Sequence, residues 1–214
     1  LPILASADEE DPMSPRGVPI PDVKERLFAA AERVLAREGT AGLTNRSVTE
    51  EADCAKGLLY NHFTDLDDFV AQLVLDRFAR IAAELGPLPD RAGNGTVQEN
   101  LTLAALTMLG ANGPVIAAAA VSRRQVAQRV ADAWAGGAPG PGAVEEAMTR
   151  YLQAEQRLGR VAPDADCPML ALALTGTVHH LLMHQGPGPE DGAALIGRLV
   201  AALVGTPATA AGAP

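Results

Sequence analysis

Glycine and proline cut this chain into helix-sized lengths, and that spacing limits the fold more than any other feature. After Gly86-Pro87-Leu88-Pro89, breaks fall at Asn112-Gly113-Pro114, at "GGAPGPG" (Gly136 to Gly142), at Gly159 to Pro163 and at "GPGP" (Gly186 to Pro189). Proline cannot continue a helix interior and glycine is costly there, so each break ends one element and lets the chain turn back. The lengths between are rich in alanine and leucine. Only 3% of the residues are aromatic although 48% are apolar, so the interior must be built mainly from Ala, Leu and Val, which favours close-packed helices over sheets. We expect an all-α protein, with later helices over about 96–110, 115–134, 143–158, 166–184 and 190–204, no strand and no internal repeat.

The N-terminal part has a different texture. Residues 1–20 hold an acidic run, Asp8 to Asp11, among prolines and show no lasting apolar period, so we read them as a flexible arm. A first helix begins at Pro21-Asp22, with proline and acids suited to a helix start. Val23, Leu27, Ala30, Val34 and Leu35 mark its buried face, and Glu38-Gly39 ends it. Thr44 is placed to cap a short second helix that breaks at "ADCA", and a third runs from Lys56 to Phe63. Asp65 caps a fourth, with Asp68 at its third position and Phe69, Leu73, Arg77, Ile81 and Leu85 as a stripe. The tail, 206–214, reads as disordered.

Three short helices in about forty residues, the last two joined by a tight turn, match a helix-turn-helix in length and order. Leu59 and Phe63, four apart, can face a core with Val48, Ala52 and Leu27. Lys56, Leu58, Tyr60, Asn61 and His62 are then left around the other sides. Asparagine can pair bidentately with adenine and leucine can meet a thymine methyl, while most affinity comes from phosphates.

"LTNRSVTEEADCAKGLLYNHFTDLDDFVAQLV" resembles the DNA-binding segment of TetR-family transcriptional regulators, whose usual form reads roughly T-x-R-x-I-A-x-x-A-G-V-S-x-G-x-L-Y-x-H-F. Thr44, Arg46, Val48, Ala52, Gly57, Leu59, Tyr60, His62 and Phe63 fall in register. The resemblance covers about Val23 to Val74; beyond it the likeness is one of architecture. It implies that Thr44 and Arg46, flanking Asn45, grip the sugar-phosphate backbone. It further implies that Lys56, Tyr60 and His62 touch phosphates, and that Gly57, Leu58 and Asn61 face base edges. Four positions depart from the pattern. Asp53 replaces the turn glycine, Ala55 the serine cap, Thr49 a packed alanine, and Leu66 a lysine that often touches phosphate.

Charge qualifies this reading. The chain carries a formal net charge of -9 and a pI near 4.9, which argues against indiscriminate binding to nucleic acid or anionic membranes but not against a local reading surface. Even Pro21 to Arg80 holds eight Lys/Arg against eleven Asp/Glu, so binding there should be sensitive to salt. Cys54 and Cys167 form no CxxC unit, no export signal is visible, and the longest apolar runs are too short to span a bilayer. We therefore expect a cytoplasmic protein that makes no membrane contact.

In the later helices Met108, Arg123, Trp134, Tyr151, His180 and Met183 are the candidates for lining a ligand cavity. Amphipathic rings and methionines suit such walls, though methionine at helical spacing also serves as plain core. Arg123, with Arg124 and Arg129, reads either as a clamp for an anionic ligand or as a solvated face. His180 and His184 have the i, i+4 spacing that metals use, but no third ligand can be placed, and we expect neither metal nor cofactor. No P-loop, GxGxxG, GxSxG or HExxH is present, and no catalytic residue is expected.

Leu195, Leu199 and Leu203 form a stripe for a homodimer interface, the alternative being burial within one body. Taken together with the resemblance, a head over 21–80 and a body over 81–205 point to a homodimeric, ligand-responsive regulator of a double-stranded DNA operator, usually a repressor, and the high Ala, Gly and Arg usage points to a high-GC bacterial genome. The alternative is a helical small-molecule-binding or protein-interaction module with little DNA affinity.

Overall fold

The computed structural model describes residues 23–110, 112–183 and 189–205; the expected arm over 1–20, the tail over 206–214 and His184 lie outside the described residues. Among those described there is no strand. Four helices form the N-terminal part: α1 (Val23–Gly42), α2 (Asn45–Glu51), α3 (Leu58–His62) and α4 (Leu66–Leu85). The rest comprises a short 3-10 turn (Leu88–Arg91), α5 (Val97–Leu109), α6 (Gly113–Ser122), α7 (Arg124–Ala135), α8 (Pro141–Arg157), α9 (Cys167–Met183) and α10 (Pro189–Val204). Gly39, at φ 68° and ψ −169°, breaks the regular course of α1 near its end, a conformation that a glycine adopts without steric cost.

The expected helix over 115–134 is two helices. Arg123 is extended, at φ −129° and ψ 115°, and the Ser122 hydroxyl donates to the Ala119 carbonyl at 3.0 Å, a local bond that competes with helix continuation. The break lets α6 pack on α1 and α9 while α7 lies along α4. A straight helix of that length could not do both. The expected stop at Gly86 to Pro89 is present, but it also holds the 3-10 turn, with Leu88 buried.

Two apolar cores result. The first joins α1, α2, α3 and the first half of α4, and extends into Ile116 and Ala119 of α6 and Val126 and Val130 of α7. At its centre Phe28, Phe63 and Phe69 meet with ring centroids 4.9 to 5.8 Å apart, so three of the chain's few aromatics fix the angle between α1, α3 and α4. The second core gathers the end of α4 with α5, α8, α9 and α10.

One buried charge secures the second core. Glu155 on α8 is fully buried, accepts from the Gly93 N–H at 3.3 Å and pairs with Arg160 at 3.3 Å, while Arg160 also donates to the Gly95 carbonyl. The carboxylate thus ties the turn before α5 to α8. That turn leads into a capping box, in which Thr96 accepts from the Glu99 N–H and Glu99 from the Thr96 N–H, both at 3.1 Å.

Phe63 is 3% exposed and belongs to both the ring cluster and the end of α3. Phe63→Ala is expected to destabilise the protein by about 3–5 kcal/mol through lost burial and a residual cavity, read as a lowered urea midpoint. A loss below about 1 kcal/mol would mean that the site collapses without cost.

Candidate nucleic-acid interface and ligand cavity

Thr44 opens α2 as its N-cap. Its hydroxyl accepts from the Ser47 N–H at 3.0 Å, its own N–H donates to the Ser47 hydroxyl at 2.9 Å, and Ser47 donates on to the Gly42 carbonyl at 2.7 Å. The exposed start of α2 is therefore rigid. Arg46 extends from it, 75% exposed and paired with Glu50 at 2.8 Å. Asn45 is half-buried and its Oδ1 has no hydrogen-bond partner. Thr49, in place of a packed alanine, is fully buried, and its hydroxyl donates to the Asn45 carbonyl at 2.9 Å.

The turn to α3 carries Asp53 at φ 50°, the one non-glycine residue with positive φ among those described. Aspartate tolerates this left-handed backbone better than most residues. Where Ala55 replaces serine, α3 begins with no side-chain cap; its N-cap position is held by Gly57. Leu59 and Phe63 are buried with Val48, Ala52 and Leu27. Lys56, Gly57, Tyr60, Asn61 and His62 are exposed and Leu58 is half-buried, so α3 presents the polar residues of its motif on one outward surface. Tyr60 is 58% exposed, an unusual placement for an aromatic residue with nothing to cover it.

Most cations of this region are engaged by its own acids. Glu51 pairs with Arg33 at 2.7 Å and Arg37 at 2.9 Å, and hydrogen bonds from Arg33 and then Arg37 hold its carboxyl below the usual range. Arg26 lies 3.9 Å from Asp53, and Lys24 stands over the Phe63 ring at 5.4 Å. Lys56 has no ion-pair partner among the described residues. Leu66, where a lysine could have touched phosphate, packs against the first core instead.

Just beyond α3, Asp65 caps α4 by accepting from the Asp68 N–H at 2.7 Å. Arg129 of α7 grips the same carboxylate with both terminal nitrogens, at 2.7 and 2.9 Å. Arg123 reaches Asp67 at 2.7 Å. Arg129, and after it the Asp68 N–H, hold the Asp65 carboxyl far below the usual carboxylate range.

Behind this clamp lies an apolar cavity of about 310 Å³ between α4, α6, α7 and α9. Met108, Trp134 and Met183 line it, with aliphatic residues such as Val74, Ile81 and Ile116. Three expected lining residues are elsewhere. Tyr151 is fully buried in the second core and its hydroxyl accepts from Asn100 Nδ2 at 3.0 Å; burial, first of all, pushes its phenol well up. Arg123 is drawn to Asp67 at the α6–α7 break. His180 is exposed on α9 and does not border the cavity, whereas His179 does. His179, Leu182 and Met183 share a face at i, i+3, i+4, and His180 is turned off it. No group of His, Cys, Asp or Glu among the described residues is placed to hold a metal ion.

On α10, Ile196 and Val200 are the fully buried positions, while Leu195, Leu199 and Leu203 pack partly buried against the second core. Met169 and Leu172 of α9 are more exposed, at 57% and 48%, as are Leu103, Val121 and Leu158 on other elements. No single helix among the described residues is long and apolar enough to cross a membrane.

A capped helix, a tight turn and a second helix with a polar outer face define a helix-turn-helix protein of the DNA-binding class. Residues 27–73 match the sequence model described as "Bacterial regulatory proteins, tetR family". An uncharacterized HTH-type transcriptional regulator of Haemophilus influenzae is 33% identical over 64 residues, a segment spanning 30% of this chain and about a third (34%) of that relative. In fold, the chain is similar to the transcriptional regulator FadR of Bacillus subtilis, solved in complex with stearoyl-CoA (TM-score 0.61, 16% identity, 84% of this chain and 97% of that one). It is also similar to Escherichia coli NemR in its reduced form (TM-score 0.63, 16% identity, 88% and 100%). The likeness to the tetR family is thus one of sequence over residues 27–73 and one of fold over the rest of the chain.

The missed features had a faint signal. Arg77 interrupts an otherwise apolar stripe on the fourth helix, and Asp65 reads from sequence as an ordinary capping acid. The Arg129–Asp65 pair gives a pH test. Its carboxyl is depressed in the folded state, so the stability it adds is present above the unfolded value near pH 4 and is lost as acid titrates the folded carboxylate. Arg129→Gln should therefore lower the unfolding free energy at neutral pH, with the gap to wild type closing as urea titrations move below about pH 4. A gap independent of pH would assign the effect to packing of α7 alone.

Proposed function

We propose that this chain is a ligand-responsive, sequence-specific DNA-binding transcriptional regulator: a repressor that a small-molecule effector releases from a near-palindromic operator. The observation that carries this reading is the polar face of α3, with Tyr60, Asn61 and His62 exposed on a helix end whose other side is fixed by the phenylalanine cluster. Thr44, Arg46, Lys56, Tyr60 and His62 hold phosphates, with Arg46 exchanging Glu50 for the DNA backbone. Gly57, Leu58 and Asn61 face base edges, and Asn45 supports the start of α2. The head comprises residues 21–80 and the effector-binding and dimerisation body 81–205.

The chain works as a homodimer in the cytoplasm and has no catalytic role. The exposed Met169 and Leu172 of α9, with the outer flanks of Leu195, Leu199 and Leu203, provide the apolar face for the second copy. A regulator of this fold solved with stearoyl-CoA supports reading the cavity as the effector site. An effector seated between α4, α6 and α7 shifts α7, and the Arg129–Asp65 and Arg123–Asp67 pairs carry that shift to the start of α4, two residues after α3 ends its core contact at Phe63. Release requires that the effector bind the two head spacings unequally.

Selection of bound duplexes from a random pool by the purified protein, at low salt and then rising salt, tests the reading. A palindromic motif is expected, and its absence even at low salt favours the binding module without DNA affinity. With that motif as probe, Lys56→Ala should weaken binding to all sequences alike and reduce the salt slope by about 1. Asn61→Ala should instead cost about 1–3 kcal/mol on the preferred sequence and relax choice at one base pair. Equal losses on specific and random duplexes for both variants would remove Asn61 from base reading.

A further inference from the structure

The polar chemistry of the cavity is one-sided. Its polar side chains are Arg77, Trp134 and His179, and none of the lining residues is acidic. Arg77 stands half-buried in the apolar stripe of α4, beside Val74, Phe78 and Ile81. The next arginine on that helix, Arg80, pairs with both Asp76 and Glu25. Arg77 has no ion pair or hydrogen bond to any described residue. Its guanidinium lies so close to Gly110 that a Cβ there would collide with it. The ring of Trp134 shares the wall, while its buried indole N–H, which has no acceptor, lies beside Gly140 outside the cavity lining.

A cation held partly out of water without a counter-charge is costly, and an anion with an apolar body relieves that cost. One guanidinium matches one carboxylate in a bidentate pair, and a phosphate dianion would find no second arginine or lysine among the described lining residues. A volume of about 310 Å³ equals about ten liquid waters, enough for a medium-length chain or a ring system.

We propose that the cavity selects a small apolar monocarboxylate, its carboxylate held by Arg77 and its body by the aliphatic wall between α4, α6, α7 and α9. This assignment rests on the reading of the cavity as the effector site and adds its chemical class.

The test uses the full chain without DNA and three probes of one length: decanoate, 1-decanol and decylamine. Binding is followed by calorimetry and by the fluorescence of Trp134, the chain's only tryptophan. Decanoate is expected to bind more tightly than the other two. Arg77→Gln should weaken decanoate by roughly 10- to 100-fold and leave decanol unchanged, while Arg77→Lys restores part of the loss. An unchanged decanol affinity also shows that the variant is folded. Decanol or decylamine binding as well as decanoate, or Arg77→Gln leaving decanoate unaffected, would overturn the anion assignment while the effector cavity stands. Binding of none of the three would overturn the cavity reading along with it.

Discussion

Helix α4 has to belong to two cores at once, and the bond at its start makes that possible. Its twenty residues span about 30 Å. Phe69, Val70, Leu73 and Val74 close the core of the helix-turn-helix, and Ile81 and Leu85 close that of the body. The Asp65 carboxylate serves as the cap of this helix and as the anchor for Arg129 of α7. One group thereby satisfies a free backbone N–H at the helix start and fixes the body against the head. The start of α4 and the position of α7 therefore depend on the same carboxylate, two residues beyond Phe63 at the end of α3.

The acidity of the head has a structural meaning in this light. Glu51 joins α2 to α1 through Arg33 and Arg37, and Glu50 holds Arg46 along α2. These acids consume cations that could otherwise lie against phosphate. Exposed ion pairs of this kind contribute little stability each, so their exchange for DNA contacts is inexpensive. Lys56 is left without an ion-pair partner among the described residues, and Tyr60, Asn61 and His62 are exposed beside it, so in the proposed reading a small set of groups faces the duplex and the shape of the head counts for more than its charge.

How far this could be read beforehand depended on the range of the interactions. The caps at Thr44 and Asp65 and the stops at Gly39 and Gly86 act within three or four residues, and they stand where the pattern put them. So does the burial of Leu59 and Phe63, which helical spacing alone requires. The break at Arg123 had no such local sign, since no glycine or proline lies between Ile116 and Trp134; it depends on α4 offering Asp67 as a partner and on α6 and α7 packing against different helices. Tyr151 was misplaced for a related reason. An amphipathic ring in an aromatic-poor chain suits a ligand wall, but Asn100, 51 residues away, supplies the hydrogen bond that lets it sit in the core. His180 was misplaced by one position, a 100° error around a helix that only the packing of α9 resolves.

The sequence by itself determined most of the elements and the helix-turn-helix motif. Helix lengths, capping residues and the register from Thr44 to Phe63 depend on neighbours along the chain, where propensity and periodicity are strong. The tertiary structure decided which charges meet and where the cavity opens. Arg129 finds Asp65 across 64 residues of chain, and Arg77 becomes the lone cation in an apolar space, through the packing of helices distant in sequence. Contacts of that range depend on the angles between helices, which are set by the combined packing of many side chains and by no local pattern of residues.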